Sequence, residues 1–358
     1  MQDVNSTDSA PFSILALSGG GYKGLFTAKL VAQIEEETGG PFGAHFDLIC
    51  GTSIGGIIAL ALATREIPAS RIVDILTAAG PRIFTPIEPY SLKKKVSQPY
   101  RAIIDTLVKK KTGFTLDRGI TSAKHSSTAL RKVLEEVFEE RVIADLKTRL
   151  LIPSANWTKG GPQFFKTPHN PKYALDAKRS LVDIAMATSA APIYLPNYTF
   201  EDKVYVDGAL VGNAPGVFGV HEAEHAINPE IEKDIHLLSI SALSSKTTAN
   251  QSETLDKGIA QWGAGLFDLM MACQEQTANF MMQQKLGGHY HMIDRDLSSD
   301  QDRVVALDKA DTSATSTLLG IAGQTFQEEI AGAQLKAFLE TTTPDLDFKS
   351  KKELNCDE

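Results

Sequence analysis

The stretch "LALSGGGYKGLFTAKL", residues 15–30, runs from apolar residues through three consecutive glycines, a lysine and a fourth glycine into helix-like spacing. Two readings fit it. Gly19, Gly21 and Gly24 satisfy G-x-G-x-x-G after a strand-like segment at Ser13–Leu17, the arrangement that seats a dinucleotide pyrophosphate at a helix N-terminus. The same glycines can instead make an oxyanion hole, because a backbone without Cβ atoms lets N–H donors crowd towards one developing negative oxygen.

Outward from that stretch, residues 13–63 read as one βαβ unit: a strand in "FSILAL", a helix over Tyr22–Glu37 spaced by Leu25, Leu30, Val31 and Ile34, and a second strand in "HFDLIC", His45–Cys50. Such a unit predicts parallel strands joined by a right-handed crossover. "GTSIGGIIALALA" follows at once, a tight glycine turn entering an apolar helix. Residues 64–130 are less regular, carry the basic clusters Lys93–Lys95 and Lys109–Lys111, and read as an insertion over the sheet. A helix over Ser127–Glu140, a strand at Arg149–Ala155, a helix in "RSLVDIAMATSAA" and strands opening "KVYVDGALVGNAP" (Lys203–Pro215) and "DIHLLSISAL" (Asp234–Leu243) complete the alternation. From about residue 250 the pattern is mainly helical, "GIAQWGAGLFDLMMACQEQTANFMMQQKL" being the longest candidate. The organisation expected is a flexible segment 1–12, one domain over 13–340 with its insertion at 64–130 and helical part at 250–340, and a polar tail 341–358, with "KSKKELNCDE" mobile.

Composition narrows the classes. The 358 residues are 42% hydrophobic and 22% charged, ordinary for a globular chain able to bury a substantial core. A net charge of -8 argues against a general binder of DNA or RNA, whose backbone rewards a basic surface. Cys50, Cys273 and Cys356 are too few and too scattered for a disulfide framework or a cysteine zinc site, which makes a reducing cytoplasm the expected compartment. The polar, acidic N-terminus lacks the regions of a signal peptide, and the best apolar run, Ile54–Ala63, is far short of the ~20 residues that span a bilayer. Contact with lipid is therefore expected from outside the membrane.

"GTSIG", Gly51–Gly55, is G-x-S-x-G between a strand and a helix, the context of a nucleophile elbow that lifts a serine hydroxyl above the sheet. It also fits a plain close-packed turn in which Thr52 and Ser53 merely cap the helix. A nucleophilic Ser53 needs a base. None of His45, His125, His169, His221, His225, His236, His289 and His291 sits in a setting that singles it out. A carboxylate is the alternative: Asp207 ends a strand in "VYVDGALVGNAP", although Asp-Gly is also a common turn dipeptide.

Taken together, "SGGGYKG", "GTSIG" and "DGA" spell a pattern that resembles the patatin-like phospholipases, whose motifs are a glycine-rich oxyanion loop, GXSXG and DGA/G. "ATSAAPIYLP", Ala187–Pro196, resembles that family's Ser-Ala-Ala-Pro stretch, and the likeness runs over roughly residues 13–245. Two positions depart from the pattern: Ser18 stands where many members have aspartate, and Lys23 where they have arginine. A lysine keeps the charge but loses the bidentate fork.

The resemblance implies a three-layer α/β/α fold with a mostly parallel central sheet, a nucleophile elbow and a helical C-terminal region. It implies Ser53 as nucleophile, Asp207 as general base, and Gly19, Gly20, Gly21 and Lys23 as the oxyanion loop, with Gly24, Gly51, Gly55 and Gly208 supporting the motifs and no metal or catalytic cofactor. Phospholipid acyl esters are then the substrate, and the charge held by the glycines is a transient oxyanion. The dinucleotide reading instead expects an acid ending the next strand, whereas Asp47 lies inside that strand, which ends in "CGTSIG".

Within the family, "LSGGGYKGLFTA" and "GTSIGGIIALALA" look like the bacterial effectors of anti-phage signalling that cyclic oligonucleotides switch on. That likeness implies a cyclic di- or trinucleotide activator, a restrained resting enzyme, a homo-oligomer of at least two chains when active, and action at the inner face of the cell membrane. A constitutive housekeeping lysophospholipase and a non-catalytic lipid-binding member are the alternatives. Phe84, Ile87, Tyr90 and the two lysine clusters are candidates for lipid contact or a solvated face. Trp262, Phe267, Met270, Met271, Phe280, Met281 and Met282 are candidates for an acyl pocket, an oligomer face or plain helix core.

Overall fold

The computed structural model describes residues 11–87, 123–227, 234–243, 262–263 and 265–349. Strand β1 (Phe12–Leu17) decides the layering, because its side chains alternate between two cores: Leu15 and Leu17 join one apolar cluster, Phe12, Ile14 and Ala16 the other. A strand buried on both faces reads as a continuous apolar run, as "FSILAL" does.

The chain continues as α1 (Gly24–Thr38), β2 (Leu48–Gly51), α2 (Ile54–Thr64), α3 (Ala69–Ile83) and α4 (Ser127–Phe138), then β3 (Arg149–Asn156), β4 (Gly161–Lys166), α5 (Leu181–Thr188), β5 (Tyr198–Phe200), β6 (Lys203–Val206), α6 (Gly216–Glu222) and β7 (Ile235–Ile240). After these come α7 (Gly265–Leu286), β8 (Tyr290–Ile293), α8 (Ser299–Val304), α9 (Thr312–Glu329) and α10 (Ala333–Leu339). The sheet order is β5-β6-β3-β2-β1-β7-β8, with β4 also on β3. Strands β3, β2, β1, β7 and β8 run parallel, while β4, β5 and β6 pair antiparallel. From β1 the chain crosses through α1 to β2 on one side, and β7 lies on the other. This places a topological switch at the C-terminal end of β1, where open α/β sheets bind ligands.

Helices cover both faces. On the first face α1, α2, α3, α4, α5 and α9 pack their apolar stripes together, with every residue of α2 buried. On the second face Val220 of α6 and Met282 of α7 meet Ile14, Leu48 and Leu151. The three-layer expectation is met.

Local chemistry explains several boundaries. Helix α1 stops where Gly39 turns left-handed (φ 71) and its N–H closes on Glu35 O at 2.9 Å. Helix α4 starts where the Ser126 hydroxyl accepts from Thr128 N–H. Asp47 comes just before β2, and its carboxylate accepts the Ser13 N–H at 2.9 Å, which ties the mouth of one strand to the next instead of facing a ribose.

The structure adds detail to three stretches. The N-terminal part of the 64–130 region is regular helix: α3 buries Ile72, Leu76, Ala79 and Ile83 against the core, because its apolar residues recur at helical spacing. Tyr90 and the lysine clusters at 93–95 and 109–111 fall outside the described residues. The helical C-terminal part contains one strand, β8, paired with β7 from Leu237↔Tyr290 to Ile240↔Ile293. In the polar tail, Thr343 N–H donates to Ala44 O at 2.7 Å, Leu346 N–H to Lys147 O at 3.0 Å, and Phe348 is buried, while the stretch expected to be mobile lies, from residue 350, outside the described residues. Among the described residues, no helix is long and apolar enough to cross a membrane.

Candidate active site

Ser53 stands between β2 and α2 with φ 55 and ψ -124, a left-handed conformation that costs a side-chain-bearing residue about 1–3 kcal/mol. The surroundings hold it there. Ser53 N–H donates to Thr188 Oγ1 at 3.1 Å, Thr188 Oγ1 donates to Pro153 O at 2.7 Å, and Thr52 Oγ1 donates to Gly212 O at 2.9 Å. Glycine is required around the elbow by contact: a Cβ at Gly51 would strike the backbone of Gly55, one at Gly55 the carbonyl of Leu17, one at Gly24 the side chain of Ile54, and one at Gly208 the carbonyl of Pro153. Strand β1, α1 and α2 can therefore approach closely enough to bring two loops onto one serine.

Asp207 follows β6. Ser53 Oγ donates to its Oδ2 at 2.7 Å, and its Oδ1 accepts from Ala209 N–H at 2.8 Å. The carboxyl is 1% exposed. Burial pushes its pKa up to about 7, against the downward pull of the Ala209 N–H and the Ser53 hydroxyl. A base titrating there can accept a proton near neutrality and give it back.

The stretch expected to form the oxyanion loop divides. Gly20 and Gly21 line the cavity that holds Ser53 and Asp207, and their N–H groups form no hydrogen bond within the described residues. Gly21 adopts φ 56 with its α-carbon side against Leu307 O, where only glycine fits. Gly19 is turned otherwise: its N–H donates to Asn213 Oδ1 at 3.1 Å, and Asn213 Nδ2 donates back to Gly19 O at 3.2 Å. Lys23 is 8% exposed and sends Nζ to Leu243 O at 2.7 Å, away from the serine. Burial lowers its pKa, opposed by the Glu275 and Asp268 carboxylates.

The Ser53 cavity encloses about 60 Å³ and is lined by Ile57, Leu76, Ile83, Phe84, Leu130 and Phe267. Among the described residues, no histidine lines it. Of the α7 candidates, Phe267 and Met271 face this cavity, Met282 packs on the sheet, and Phe280 and Met281 are exposed. A second cavity of about 270 Å³ adjoins it, sharing Gly20, Tyr194, Met271 and Leu307 and lined also by Gly19, Lys23 and Asn213. Glu275 lies in this second cavity, its pKa raised by burial to about 7 while the Ser18 hydroxyl pulls it down.

A buried serine–carboxylate pair beside free backbone donors and an apolar cleft is equipped for acyl transfer. The family described as patatin-like phospholipase matches residues 15–216, the span that carries every residue of this arrangement from Gly19 to Asn213. The chain belongs to the patatin-like phospholipases. Among similar proteins, a cGAMP-activated phospholipase of Pseudomonas aeruginosa is 41% identical over 308 residues, covering 86% of this chain and 85% of its own. Those of Vibrio cholerae and Escherichia coli are 33% identical over 339 residues (88% and 90% covered) and 30% identical over 342 residues (89% and 89%). This patatin-like phospholipase is a lipid ester hydrolase by family.

Two residues that position this patatin-like site escaped the sequence reading. Asn213 lies in "VGNAP" and Thr188 in "ATSAAP", both inside stretches the motifs had drawn attention to. Polar residues in such turns are usually local caps, and only the fold shows that these two reach 194 and 135 positions along the chain.

Proposed function

We propose that Ser53 and Asp207 act as a catalytic dyad that hydrolyses acyl esters of membrane phospholipids. The observation that carries this reading is the 2.7 Å hydrogen bond from Ser53 Oγ to the buried Asp207 carboxylate. Asp207 takes the hydroxyl proton as Oγ bonds to the ester carbonyl, and the Gly20 and Gly21 N–H groups, with the N-terminus of α2, hold the oxyanion. Collapse breaks the carbon–oxygen bond to the glycerol side, whose oxygen takes the proton back from Asp207. Water then attacks the acyl-serine, again giving its proton to Asp207, which passes it to Ser53 Oγ as the acyl carbon–oxygen bond breaks and the fatty acid leaves.

Activation by a cyclic di- or trinucleotide in antiviral defence, action at the inner membrane face and assembly into at least a dimer complete the proposal. Three relatives whose names state cGAMP activation support the first of these across nearly the whole chain. A constitutive lysophospholipase would work without the nucleotide. The test is fatty-acid release from phospholipid vesicles with and without cGAMP. Release that needs both cGAMP and Ser53 supports the proposal; equal release without nucleotide assigns the constitutive reading, and release that survives Ser53→Ala removes the dyad.

A further inference from the structure

The two cavities that meet at Gly20, Tyr194, Met271 and Leu307 differ in chemistry. The one around Ser53 is apolar. The other is walled by the carboxylates of Asp268, Glu275 and Asp302 and by Lys23, whose Nζ is already held at Leu243 O. Among the described residues, three atoms sealed from solvent there have no hydrogen-bond partner: Asp268 Oδ1, Glu275 Oε1 and the Oγ of Ser241, a residue only 1% exposed. The Ser241 hydroxyl sits beside the Glu275 carboxyl. Leaving buried acceptors unmade costs about 1–3 kcal/mol each, and more for charged groups, so the cavity calls for a donor that the described residues do not supply.

We infer that this second cavity is a headgroup subsite for the primary ammonium of an aminophospholipid whose ester lies at Ser53. The inference rests on the reading of Ser53 and Asp207 as an esterase site. The four shared wall residues place the polar cavity next to the apolar one, where the headgroup of a lipid whose ester lies at Ser53 would fall. A primary ammonium brings three N–H donors to a site with three orphaned acceptors and an excess of negative charge. A glycerol headgroup brings no charge, and a choline headgroup no N–H donor.

The test uses the full chain with cGAMP present and phosphatidylcholine vesicles carrying an equal fraction of labelled phosphatidylethanolamine or phosphatidylglycerol. Preference is read as the ratio of fatty-acid release from the two guest lipids within each variant, so a general loss of activity cancels. The wild type is expected to favour the ethanolamine lipid by about tenfold or more, and Asp268→Asn, Glu275→Gln and Ser241→Ala to bring the ratio close to one. Ester hydrolysis without headgroup preference, or a preference intact in all three variants, overturns the subsite alone. Failure to hydrolyse even a soluble p-nitrophenyl ester above the Ser53→Ala background overturns the esterase reading and this inference with it.

Discussion

Ser53 and Asp207, 154 positions apart, share a hydrogen bond of 2.7 Å, and the other oxygen of the carboxylate is fixed by the Ala209 N–H. In the proposed dyad the base is thus aimed by the backbone of its own Asp-Gly-Ala turn, a task that a third side chain performs in triads. Removing either member should cost roughly 10³-fold or more in kcat/KM, with the double variant little worse than the single ones. Strict additivity of Ser53→Ala and Asp207→Ala in steady-state kinetics would show that the two do not act as a unit.

The Asp207 carboxyl, raised from 3.8 to about 7, sets the pH dependence. Only its ionised form can take the serine proton, so hydrolysis should rise with pH and level off above about 7. Glu275 titrates in the same range, and repeating the profile in Glu275→Gln on a soluble ester separates the two.

The same shift acts on stability with the opposite sense. Below pH about 4 the carboxyl is protonated folded or unfolded, and as pH climbs to about 7 the unfolded chain releases a proton that the native state retains, so folding loses free energy. Asp207→Asn should therefore be inactive yet more stable than wild type at pH 8, by about 2–4 kcal/mol, and no more stable at pH 4. Urea titrations at both pH values check the pair.

Asn213 clamps the oxyanion loop through both polar atoms of its side chain to Gly19. Asn213→Ala leaves a buried N–H and carbonyl unpaired, a loss of about 1–3 kcal/mol, and lets the Gly20 and Gly21 donors drift. The expected kinetic signature is a lower kcat with KM nearly unchanged. A variant that is destabilised but keeps wild-type kcat would limit Asn213 to a structural part.

Acyl-chain preference should answer to the cavity floor. Ile57→Phe adds volume beside the nucleophile and should shift hydrolysis towards shorter chains by several-fold, read from a series of p-nitrophenyl esters.

Much of this was legible in the sequence because the motifs are local. "FSILAL" and "GTSIG" carry strand and elbow in a handful of residues, and the parallel β1–β2 pairing follows from the crossover between them. Strand β8 escaped because four residues after a glycine pair are too short to show period-2 alternation against a 22-residue helix. The split of the oxyanion loop escaped for a different reason. Which N–H of three neighbouring glycines stays free depends on Asn213, and the direction of Lys23 depends on the Leu243 carbonyl, partners roughly two hundred residues away. The anchored tail belongs with these: Phe348 finds its burial only once Ala44 and Lys147 are in place.

Helix α2, which carries Ser53 at its start, is held at its other end by Arg65, whose guanidinium donates to Thr343 O at 2.8 Å and Asp345 Oδ1 at 2.9 Å. Leu307, which accepts from Tyr22 beside the oxyanion glycines, is another late arrival. During synthesis, a nascent chain that already displays Ser53 and Asp207 outside the ribosome still lacks the wall of its cleft and the brace of its nucleophile helix. A lipid ester hydrolase is thereby assembled in an order that leaves its cleft unfinished until translation has passed residue 345.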